Sequence, residues 1–132
     1  MNRYFLRTSL ILSSLVLLSF LSCGESDPCA SSNWEGRWGG LINCLGIDVT
    51  LAITISEDRE DAVEVNLGSE LKLVPIRDCM INFQTERRVD GNDFLIDLTL
   101  SLNEDALDVL NASMDFSGFG NMETCKGVLT RR

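Results

Sequence analysis

The chain has 132 residues, with 20 acidic side chains against 11 basic ones, a formal charge of −9 and no histidine. The lack of imidazole excludes His-based triads, imidazole acid–base chemistry and Cys/His zinc centres. So acidic a chain repels phosphate backbones, so nucleic acid is not an expected partner.

The amino terminus begins with Arg3 and Arg7, continues through a largely apolar stretch over residues 10–21, and ends in Ser22-Cys23-Gly24. A charged start, a short apolar core and a small residue before the cut make up a secretory signal. The apolar stretch is shorter than the roughly 20 residues that a membrane-crossing helix requires. With its terminal cysteine the segment resembles a bacterial lipoprotein signal. That resemblance implies cleavage before Cys23, a diacylglyceryl group on its thiol and acylation of the new amine. Gly24 after the cysteine implies the outer membrane or cell surface rather than the inner membrane. The expected division is a signal over 1–22, a lipidated tether over 23–33 and one small domain over 34–132. Losing Arg3 and Arg7 with the signal takes the formal charge from −9 to −11.

From Trp34 onward the pattern is β, with apolar residues recurring at period two. A first strand covers residues 36–44. Val49, Leu51, Ile53 and Ile55 alternate with polar or small neighbours, and an acidic turn leads to Val63, Val65 and Leu67. Leu71 and Leu73 mark a fourth strand after Gly68-Ser69, and Ile81 and Phe83 a fifth. Asp90-Gly91-Asn92-Asp93 has the composition of a hairpin turn. Phe94, Ile96, Leu98, Leu100 and Leu102 follow, then Leu110, Ala112, Met114 and Phe116, then a last strand over about 122–131. Residues 104–110 also suit a single helical turn. Eight strands with short connections predict an all-β, antiparallel up-and-down meander, closed into a small barrel so that no edge is exposed. The polar half of each alternation faces water, unlike the outer face of a membrane barrel.

With Cys23 assigned to lipid, Cys29, Cys44, Cys79 and Cys125 remain, and four cysteines in a small exported domain predict two disulfides. In the meander, Cys44 ends the first strand and Cys125 lies early in the eighth, its neighbour across the closure. Cys29 and Cys79 fall at the opposite end. Any other pairing must join ends about 25–30 Å apart, at about 3.3 Å per residue. The expected bonds are therefore Cys44–Cys125 and Cys29–Cys79.

Gly36-Arg37-Trp38, at the start of the first strand, resembles the Gly-x-Trp motif of lipocalins and their calycin relatives. The resemblance implies that Trp38 closes one end of the barrel, with Arg131 of the last strand across its ring and Gly36 allowing close approach. It also implies a small apolar ligand held by the inward set Val49, Leu51, Ile53, Phe83, Phe94, Ile96, Leu98 and Met114. The family's mid-chain Thr-Asp-Tyr motif has no match here, and the strands are short.

Other constellations point to ordinary surface. Residues 56–61 lack the ligand spacing of a calcium loop and suit a solvated hairpin tip. Phe116 and Phe119, beside Gly118 and Gly120, form a candidate apolar loop. No nucleophile motif stands out, so no enzyme activity, metal or cofactor is expected. Two functions compete: carriage of a small apolar ligand in a calycin-like barrel, or a protein-interaction or protease-inhibitor module using loops or the tether. A surface lipoprotein without a discrete site is the third reading. The expected partners are the membrane, through the anchor, and an apolar ligand or an envelope protein.

Overall fold

The computed structural model describes residues 26–132 except Phe119, and the side chains of these apart from Val89 and Asn121. Cys23, with the expected signal and lipid anchor, lies outside the described residues. Eight strands follow a short 3₁₀ turn at Ser31–Asn33: β1 Gly36–Cys44, β2 Ile47–Arg59, β3 Ala62–Asn66, β4 Leu71–Pro75, β5 Met80–Val89, β6 Asn92–Leu102, β7 Val109–Gly118 and β8 Asn121–Arg131. The sheet is antiparallel throughout, in the order β4-β3-β2-β1-β8-β7-β6-β5. This is the expected meander, curled into a nearly closed barrel and consistent with a calycin-like fold. Residues 104–108 form turns that lead into β7, not a helical turn.

Inward-pointing aliphatic side chains drive the closure. Ile42, Ile53, Ile55, Val63, Val65, Ile81, Leu98, Leu100, Leu110 and Leu129 form one continuous buried cluster with Trp34 and Trp38. Burying one such aliphatic side chain stabilises the fold by roughly 1.5–3 kcal/mol. β1 and β8 approach closely where Gly40 and Gly127 face inward. A Cβ at Gly40 would stand 2.0 Å from the Val128 carbonyl oxygen, and one at Gly127 would stand 2.2 Å from that of Leu41. Both disulfides form as expected, Cys29–Cys79 and Cys44–Cys125.

Three local departures matter for function. β3 pairs with β2 only over Thr54–Arg59, so residues 47–53 of β2 are hydrogen-bonded on one side, to β1. The short β3–β4 hairpin therefore leaves a notch in the upper wall. In β4 the register sets Val74 opposite Val63 and Lys72 opposite Val65. That turns Lys72 and Val74 inward and leaves Leu71 and Leu73, whose alternation marks the strand, 58% and 52% exposed. The turn at 67–70 fixes this register, through Leu67 N–H to Glu70 O and Gly68 N–H to Asn66 Oδ1, and a shift of one residue exchanges the two faces of a strand. Finally, the segment read as a tether through Asn33 joins the domain from Cys29 onward. Cys29 is bonded to Cys79, Ser31 is buried and donates to Glu57, and the Asn33 amide donates to Asp27 O and Pro28 O.

Candidate functional site

The base of the barrel is built around Trp38. Its indole N–H donates to Trp34 O at 2.8 Å, and the Arg131 guanidinium carbon lies 4.7 Å from its ring centroid. The same guanidinium donates to Asn33 O at 2.5 Å and to Leu107 O at 2.9 Å. Gly36, at φ +142°, keeps clear of the Arg131 stem, which would stand 3.3 Å from an added Cβ. One arginine thus ties the entering chain, the β6–β7 loop and the floor tryptophan together. Trp34 is fully buried and its indole N–H has no partner. Sequence reading marked Trp34 only as the start of the β pattern. Its role depends on the fold over Trp38, which no spacing reveals.

The expected cavity residues do not behave as one set. Ile53, Phe83, Leu98 and Met114 are buried in the common cluster, and Leu51 and Ile96 pack against it. Phe94 is half-buried, its ring 2.6 Å from where a Cβ on Gly118 would stand. Val49 departs from the expectation, at 42% exposed. It has inward parity, opposite buried Ile42, but lies beside the notch where β3 is too short to cover it. Of the candidate loop, Phe116 is half-buried against the core and Phe119 lies outside the described residues.

Between β4 and β5 the wall is joined by side chains in place of a ladder. The Thr85 hydroxyl donates to a Glu70 carboxylate oxygen, the Lys72 ammonium donates to Gln84 O and pairs with Glu70 at 3.0 Å, and Arg87 donates to Ser69 Oγ at 3.0 Å. The Thr85 hydrogen bond, then that from Lys72, holds the Glu70 carboxyl below its ordinary pKa, with the Lys72 and Arg87 charges adding to this against partial desolvation. An open depression of about 500 Å³ lies over this seam.

The outer face of β5–β8 is different again. Asp97 and Asp115 stand directly opposite each other on β6 and β7, a repulsive pairing by itself. Asn82 and Gln84 donate to Asp97, and Thr124 donates to Asp115 at 2.6 Å. Residues 56–61 form a hairpin tip where Arg59 pairs with Asp58 at 2.9 Å. Glu104 lies near the sulfurs of Cys29 and Cys79. Those sulfurs are joined to each other and offer no thiolate to a metal. Comparison with protein-family models, curated proteins and solved structures gives no match for this chain.

Proposed function

We propose that this chain is an exported, lipid-anchored envelope protein that docks an extended segment of a partner protein along the open half of β2. The observation that carries this reading is the one-sided pairing of residues 47–53. A strand placed there would take the position that a longer β3 would occupy. It would gain main-chain hydrogen bonds from β2 and set alternate side chains against Ile47 and Val49. Ile47 is 68% exposed, unusual for the inward face of a barrel strand. An apolar ligand between the strands would instead have to displace Leu98, Leu100, Leu110 or Leu129, which already pack together. Dense interiors resist such displacement.

A photo-crosslinking residue at Ile47, with a control at exposed Asn111 on β7, tests the proposal in cells that export the chain. The expected result is a discrete protein adduct at position 47 that is absent at 111 and lost on Val49→Lys. Identical adducts at both positions, or none at 47 alongside an apolar small molecule that co-purifies and is lost on denaturation, would overturn it.

A further inference from the structure

A second feature lies on the outer face near the base. Arg132 N–H donates to Arg37 O, Arg37 stands opposite Thr54, and Thr54 opposite Asn66. These pairings set four polar side chains in one row, from the residue after β8 across β1, β2 and β3. The row borders a depression of about 580 Å³, lined by Arg37, Ala52, Thr54, Asn66, Gly68 and Arg132 among others. Its floor is low because Gly39 and Ala52, paired with each other, carry little or no side chain. Arg132 lies across Gly39, where a Cβ would meet its Nε at 2.7 Å.

The chemistry of the row is one-sided. Asn66 Oδ1 already accepts from Gly68 N–H at 2.7 Å, so the amide presents its N–H₂ outward. Among the described residues, neither the Arg37 nor the Arg132 guanidinium has a carboxylate partner within 4.0 Å. Arg59, Lys72 and Arg88 are paired with acids, and Arg87 and Arg131 donate to neutral oxygens of Ser69, Asn33 and Leu107. In a chain with 20 acidic residues, two neighbouring arginines left unpaired beside two neutral donors form a local reversal of charge.

We propose that this row binds a phosphate monoester. Two guanidinium forks, a hydroxyl and an amide N–H₂ supply more donors than a two-oxygen carboxylate can accept, whereas the three terminal oxygens of a phosphate monoester can take them all. The ester comes either from a soluble metabolite or from a lipid headgroup. The site lies near the base, where the Cys29–Cys79 bond fastens the chain that enters from the expected lipid anchor.

The test is calorimetric titration of the disulfide-bonded chain, exported with Cys23→Ser, using glycerol 3-phosphate, with acetate at matched ionic strength as reference. The expected result is saturable one-site binding of the phosphate ester alone. Arg37→Gln and Arg132→Gln should each weaken it about tenfold or more, as loss of a charge-assisted hydrogen bond implies, and Arg59→Gln should leave it unchanged. Both arginines are exposed, so the variants should keep the fold. Sedimentation with vesicles containing phosphatidic acid, against phosphatidylcholine alone, separates the sources. Arg37-dependent retention on the acidic vesicles assigns the headgroup, and saturable binding without retention assigns a soluble ester. Equal responses to phosphate and acetate, or binding insensitive to both Arg37→Gln and Arg132→Gln, would overturn the proposal.

Discussion

The two ends of this barrel follow opposite rules. At the base, Trp34, Trp38, Arg131 and the Cys29–Cys79 bond tie the segment that enters the domain to the barrel floor. At the other end, β3 and β4 stop at mid-height, β2 shows a free edge, and polar side chains replace a ladder between β4 and β5. An unpaired edge invites another strand, so the open end is where an extended partner segment can dock. Strand docking is thereby set apart from the tied base, although the Cys44–Cys125 bond also fastens β1 to β8 at the open end.

That separation can be broken most directly at the base. Trp38→Ala should cost about 3–5 kcal/mol, the range for a large buried aromatic, read as a loss in urea midpoint. Replacing Cys29 and Cys79 together by serine should cost about 4 kcal/mol by the loop-entropy account, given their separation of 50 residues. Thermal unfolding with and without reductant measures it. Arg131→Met keeps the apolar stem but removes the hydrogen bonds to Asn33 and Leu107 and the charge over Trp38. Its expected cost is about 2 kcal/mol, with faster hydrogen exchange near Asn33.

The open end should respond weakly. Val49→Lys should change stability by less than about 0.5 kcal/mol while removing the partner adduct. A loss as large as that of Trp38→Ala would mean that the notch is part of the core. The seam carries a pH signature. Glu70 is held below its ordinary pKa, so its contribution is fully present above the normal carboxylate range and lost as pH falls through its lowered value. Acidification should therefore speed hydrogen exchange in β4 and β5 before the base, and Glu70→Gln should abolish that pH dependence.

Much of this architecture was legible in the chain. Alternation such as that from Phe94 to Leu102 located the strands, and the alternating directions of a meander were enough to pair the cysteines. What escaped was set by register and strand length. The alternation at Leu71 and Leu73 was real, but the turn at 67–70 put the opposite face of β4 inward. Val49 carried the right parity and still lies exposed, because nothing local records where β3 ends. The donor row sets Arg132, just past β8, beside Arg37, Thr54 and Asn66 of β1, β2 and β3, and only the strand register shows that these four stand in line.

Native mass spectrometry of the exported, Cys23→Ser chain, prepared without detergent, shows whether the barrel is filled by its own side chains and acts through its surface. The expected mass is four hydrogens below that of the reduced chain, as two disulfides require, with no apolar molecule retained. A hydrophobic adduct that survives native conditions and is released on denaturation would contradict it and return the barrel interior to the role of ligand carrier.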